Sequence, residues 1–111
     1  MDKDLKYRSL IKTILLKHAQ LKPSYGDIKP RTLFDEKQND YLLMDIGWNN
    51  KRYVYGNIIH LQLLNNKIWI HYDGTEEGIA MELVDSGVPK TDIVLGFRHP
   101  KVRQYTDFSI A

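Results

Sequence analysis

The sequence predicts an α+β fold. An antiparallel β-meander of about four strands carries a long N-terminal helix on one face, and a second, shorter helix follows the sheet. Three observations point there. Apolar residues near the N-terminus recur with helical period, and two Asn-Asn pairs sit between strand-like runs. The registers those two pairs imply also agree on a single apolar face.

The first helix rests on Tyr7, Leu10, Ile11, Ile14, Leu15, His18 and Leu21, which fall on one stripe of a 3.6-residue period. Asp2 and Asp4 suit the positive end of its dipole, Lys17 and Lys22 the negative end, and Pro23 stops it. Lys3, Lys6, Arg8, Lys12 and Lys17 take the outer surface. Pro23-Ser24-Tyr25-Gly26-Asp27 reads as a compact turn. The strand Ile28–Asp35 contains Pro30, which lacks a ladder donor, so it belongs at a sheet edge.

A turn at Asn65-Asn66 pairs Leu63 with Ile68, Leu61 with Ile70, Ile59 with Tyr72, and His60 with His71. A turn at Asn49-Asn50 pairs Ile46 with Tyr53 and Met44 with Tyr55. Both hairpins share the strand Arg52–Leu64, and both place Tyr53, Tyr55, Ile59, Leu61 and Leu63 on the apolar face. The opposite face then carries Tyr41, Leu43, Asp45, Val54, Ile58, His60, Gln62, Trp69 and His71. A face with that much apolar surface is usually covered. The C-terminal segment or a second subunit are the two available covers. A homodimer is expected, with Tyr41, Leu43, Val54, Ile58 and Trp69 as its face.

After the sheet, Thr75 is placed as the N-cap of the second helix, with Glu76 and Glu77 in its first turn. Ile79, Ala80, Leu83 and Val84 form its buried stripe, and Gly87 ends it. Pro89-Lys90-Thr91-Asp92 suits a further helical turn. Ile93-Val94-Leu95 fits either helix or strand.

Composition narrows the classes. At 111 residues, 42% hydrophobic and 27% charged, the chain suits one soluble globular domain, residues 1–111. Cysteine is absent, which excludes disulfides, thiol catalysis and Cys-ligated metal sites. No apolar run nears the ~20 residues of a membrane span, and Met1-Asp2-Lys3-Asp4 does not open a signal peptide. A cytoplasmic protein without membrane contact is expected. The net charge of +2 hides an uneven distribution. Residues 1–34 hold eight Lys/Arg and three Asp/Glu, residues 35–95 five and ten, and residues 96–111 three and one. Two basic ends thus flank an acidic centre, a pattern suited to complementary protein contacts.

Several groups of residues have side chains that can carry chemistry. His60 and His71, opposite each other in the derived register, with Asp73 two residues on, have the donor types for a divalent metal. A small metal-dependent hydrolase is one reading, and a polar cross-strand pair the other. Glu76, Glu77 and Glu82 near Asp73 suit a helix dipole and a solvated face. Leu83–Ile93 resembles a helix-turn-helix core, but Pro89 and Gly96 bracket too short an element for groove reading. Arg98, His99, Lys101, Arg103 and Tyr105 make a basic, aromatic tail fit to dock phosphate or an acidic protein surface. With the basic N-terminal helix, that tail supports direct nucleic-acid binding as an alternative function. No phosphate-loop, dinucleotide or nucleophile-elbow motif occurs, and no cofactor is expected.

Seven strings, in order, carry a resemblance. They are Lys22-Pro23-Ser24-Tyr25-Gly26-Asp27, Gly47-Trp48-Asn49-Asn50, Tyr55-Gly56-Asn57-Ile58-Ile59-His60, Lys67-Ile68-Trp69-Ile70, Asp73-Gly74-Thr75-Glu76-Glu77-Gly78-Ile79-Ala80, Gly87–Phe97 and Arg103-Gln104-Tyr105-Thr106. Together they resemble the XisI family, the fdxN element excision controlling factors of cyanobacteria, over nearly the whole chain. The resemblance implies a regulatory protein without catalytic residues of its own. It also implies a part in programmed DNA excision during heterocyst development, with strand exchange left to a separate recombinase. An XisH-like, nuclease-fold protein is the partner it implies.

Overall fold

The computed structural model describes residues 3–21 and 26–111, so Pro23, Ser24 and Tyr25 of the turn expected at Pro23–Asp27 lie outside the described residues. Helix α1 runs Lys3–Ala19 and buries Tyr7, Ile11, Ile14 and Leu15, the expected stripe. Leu21 falls beyond the helix and is exposed. The strands are β1 (Asp27–Asp35), β2 (Asp40–Asn49), β3 (Arg52–Leu64), β4 (Lys67–Asp73) and β5 (Ile93–Leu95), in that spatial order. β1 to β4 form the antiparallel meander, with the Pro30 strand at its edge. The ambiguous Ile93-Val94-Leu95 is a fifth strand. It lies parallel to β4, with Val94 opposite Trp69, because helix α2 (Ile79–Asp85) makes the crossover.

Helix α2 starts later than Thr75. Its first free amide, that of Ile79, donates to Asp73 Oδ2 over 2.7 Å, while Asp73 Oδ1 accepts from Thr75 N and Oγ1. Asp73 therefore does the work assigned to Thr75, and Glu76 and Glu77 lie in the loop. Gly87 follows the helix at φ 101°, and Val88 N donates to Leu83 O, closing the end as a left-handed glycine does. A 3₁₀ turn spans Lys90–Asp92, and a short helix α3 spans Pro100–Arg103.

The core lies between α1, α2 and one face of the sheet. Ile59, Leu61 and Leu63 of β3 and Ile68 and Ile70 of β4 are buried there, as the Asn65-Asn66 turn requires. Asn65 and Asn66 both take positive φ, 53° and 61°, the geometry of a two-residue hairpin turn.

The other hairpin departs from expectation in two ways. Its turn falls at Asn50-Lys51, so Trp48 pairs Tyr53 and Ile46 pairs Tyr55. The register then shifts: Met44 pairs Asn57 but Leu43 pairs Ile59, which leaves Ile58 as an extra residue on β3. Directly opposed residues of an antiparallel pair share a face. The bulge therefore reverses which β3 residues face α1. Beyond it, Ile59 and Leu61 join Leu43 and Tyr41 in the core; before it, Tyr53 and Tyr55 join Trp48 and Ile46 on the other face.

Tyr41 and Leu43 are accordingly core residues, 0% and 3% exposed, and not part of an outer face. Tyr41 also accepts a hydrogen bond from Arg8 Nε over 3.0 Å, so its hydroxyl is satisfied under α1. At the far end of the core, the Tyr7 hydroxyl donates to Asp92 Oδ2, and Lys3 Nζ lies 2.9 Å from the same oxygen. Burial opposes the Asp92 charge, but these two partners hold its carboxyl below the usual range.

Candidate interaction face

The face of the sheet turned away from α1 has two halves. Its upper half lies over β3, β4 and β5. A second bulge places His71 opposite no single residue, since Leu61 pairs Ile70 and His60 pairs Tyr72. The two imidazoles still meet, with ring centroids 5.0 Å apart. Each has its own partner: His60 Nε2 lies 2.9 Å from Asp40 Oδ1, and His71 Nε2 lies 2.7 Å from Gln62 Oε1. Burial first, then the His60 ring and Arg103, lowers the His71 pKa, while Asp40 opposes the shift.

Asp73 does not join them. It pairs with Ile59, on the core side, and its carboxylate is taken by α2. Among the described residues, no group of three or more His, Asp or Glu side chains is placed to hold a metal. The three candidates from the sequence therefore resolve into a histidine pair and a helix cap. The Glu82 carboxylate lies 2.8 Å from His18 Nε2, tying α2 to α1.

The C-terminal segment covers this upper half. Arg103 lies over the Trp69 ring at 5.1 Å, and Ser109 N donates to Ile93 O beside β5. Gly96 passes so close that a Cβ there would lie 3.0 Å from His71 Nδ1. Arg103 itself is 8% exposed. Its Nε donates to Leu95 O and Arg98 O, its Nη1 to Ile110 O and its Nη2 to Gly96 O.

The basic tail is thereby divided. Arg103 is a structural clamp, and His99 Nδ1 accepts from Lys101 N as the cap of α3. Arg98 stacks on Phe97 at 5.2 Å. Arg98, Lys101 and Tyr105 remain exposed, Tyr105 at 84%. On α1, Lys3, Arg8 and Lys12 are engaged with Asp92, Tyr41 and Glu36. The expected dimer face is divided as well. Tyr41 and Leu43 are in the core, Ile58 packs against it, Val54 is half-buried, and Trp69 lies beneath Arg103.

The lower half is formed by β1 and the end of the β2–β3 hairpin. Trp48, Tyr53 and Tyr55 are all more than half exposed there. Their rings form a run: Trp48 to Tyr53 at 4.9 Å, then Tyr53 to Tyr55 at 6.3 Å and 15° between planes. Sequence reasoning placed the two tyrosines under α1, because the bulge at Ile58 has no composition signal.

These features define an α+β protein whose bulged five-stranded sheet is packed by helices on one face and partly closed by its own tail on the other. The chain belongs to the XisI family (XisI protein), which it matches over residues 1–110. Two solved structures from Anabaena variabilis share the fold. One is a XisI-like protein, 37% identical, with a TM-score of 0.90 over 97% of this chain and 99% of that one. The other is the fdxN element excision controlling factor XisI, 40% identical, with a TM-score of 0.83 over 99% of this chain and 100% of that one. No curated protein matches the chain. Among the described residues, no helix is long and apolar enough to cross a membrane.

Proposed function

We propose that this protein is a non-enzymatic controlling factor for DNA-element excision, acting through contact with an XisH-like partner. The observation that carries the reading is the end-to-end likeness to a structure described as the fdxN element excision controlling factor, at 40% identity. The geometry supports a binding role. His60, His71 and Asp73 are each held by their own structural partners, whereas Arg98, Lys101 and Tyr105 stand free of the core at the protein surface. Such residues supply the aromatic and cationic anchors that protein interfaces favour.

Co-expression with the XisH-like protein of the same cell, followed by size-exclusion chromatography, tests the proposal. Co-elution at micromolar concentration is expected, with Tyr105→Ala and Lys101→Glu weakening it. Separate elution of the two proteins at that concentration overturns it.

A further inference from the structure

The aromatic end of the β2–β3 hairpin has no role in the core, and the tail does not reach it. Its layout follows from the register. One rung runs Lys29, Ile46, Tyr55 across β1, β2 and β3; the next runs Asp27, Trp48, Tyr53; and on the other side Arg31 stands beside Met44. All of these point away from α1. Adjacent strands lie about 4.8 Å apart, so the cations of β1 stand about 10 Å from the tyrosines of β3. That is close to the reach of one nucleotide from phosphate to base.

We propose that this face binds single-stranded nucleic acid, with bases stacking on Trp48, Tyr53 and Tyr55 and the phosphate chain running along Lys29 and Arg31. Three observations carry it. The rings are exposed, Tyr55 at 66%, and two of them lie nearly parallel, which makes a run of aromatic surface on which bases can stack. The cations are uncommitted: among the described residues neither Lys29 nor Arg31 forms a salt bridge. The exposed Lys51 extends the positive charge to the hairpin tip, against Asp27 as the carboxylate of the same rungs. A sheet face with protruding rings suits unpaired bases, because the bases of a duplex are already stacked on each other. Stacking and phosphate contact are common to DNA and RNA, so both are tested. The site is separate from the basic helix and tail, and it does not depend on the XisH-like partner.

The test uses the full chain and fluorescein-labelled oligothymidylate, oligouridylate and a duplex of equal length, followed by fluorescence anisotropy. Binding of a single strand ahead of the duplex is expected, weakening steeply with added salt. Tyr55→Ala should lower affinity about tenfold. Arg31→Glu should lower it and flatten the salt dependence, and circular dichroism confirms that both variants fold. Trp48 provides an independent reading: in a Trp69→Phe background its fluorescence should be quenched by oligothymidylate. Preference for one strand type identifies the source as DNA or RNA.

Three results overturn the proposal: no single-strand binding at low salt, binding unchanged by both substitutions, or a preference for duplex. A fourth is sedimentation showing a dimer that Tyr55→Ala converts to monomer, since a second copy would then occupy the face.

Discussion

Replacing Arg103 by Met should release the C-terminal segment from the sheet. The guanidinium donates to four backbone carbonyls: Arg98 at 3.0 Å, Leu95 at 3.1 Å, Ile110 at 3.2 Å and Gly96 at 3.4 Å. Its flat face also lies on Trp69. A hydrogen bond from a charged donor contributes about 1.5–3 kcal/mol net. The Gly96 contact is too long to count fully, and burying the cation offsets part of the remainder. A net loss of about 3 kcal/mol is therefore expected for Arg103→Met. For a domain of this size that lowers the melting temperature by roughly 12 °C or more. Arg103→Lys keeps the charge but not the planar fork, so it should recover less than half of the loss. Urea denaturation followed by circular dichroism measures both variants. Trypsin should cut the segment after Arg98 and Lys101 faster in the Met variant than in the parent. If Arg103→Met costs under about 1 kcal/mol, the clamp reasoning is wrong, because surface substitutions already span half of that.

Three further predictions concern the rest of the fold. Gly47→Ala should prevent β1 from pairing with β2, because the added Cβ would sit 2.1 Å from Asp27 O and 2.7 Å from Ile28 Cα; a folded variant with native thermal stability would refute this. Tyr7→Phe should cost about 1–2 kcal/mol in urea denaturation by leaving Asp92 one partner short. In the parent, the Asp92 contribution is fully present above the ordinary Asp value of about 4 and is lost as pH falls from there through its lowered folded value, so acid unfolding should begin at higher pH in Tyr7→Phe. His71 also has a lowered folded pKa, so the unfolded chain takes up its proton first, and this part of the stability is lost as pH drops below about 6.5. His71→Leu should flatten the stability-versus-pH curve between about pH 7 and 5 relative to the parent; an unchanged slope would count against it.

The helices and the upper sheet were legible in the sequence because one period governs each. The α1 stripe and the Asn65-Asn66 register both place Ile59, Leu61, Leu63, Ile68 and Ile70 beneath the helix, and all five are buried there. The turn of the first hairpin was misplaced by one residue because Asn49 and Asn50 are equally good turn formers, a shift that moves each partner by two residues and so leaves Tyr53 and Tyr55 on the face of Ile46 and Trp48. The face error came from the bulge alone, which breaks the alternation between Tyr55 and Ile59 and leaves no trace in the pattern of apolar residues. One length argument exposes it. A helix of 17 residues spans about 25 Å, whereas a strand of 13 spans about 43 Å. α1 therefore cannot cover β3 to its tip, and an apolar alternation continued along the whole strand must leave aromatic side chains uncovered on one face or the other. The bulge decides which. It turns them away from α1, onto the side where Lys29 and Arg31 stand, and so separates a packed half of the sheet from a half available for binding. Deleting Ile58 tests that division directly. Without the extra residue the same pairs form with unbroken alternation, so Tyr53 and Tyr55 should stay on the face turned away from α1, and the open aromatic face should survive while the Asn65-Asn66 hairpin keeps its register. Nuclear Overhauser contacts between Tyr55 and side chains of α1 in the deletion variant would show that the pairing register does not set the face.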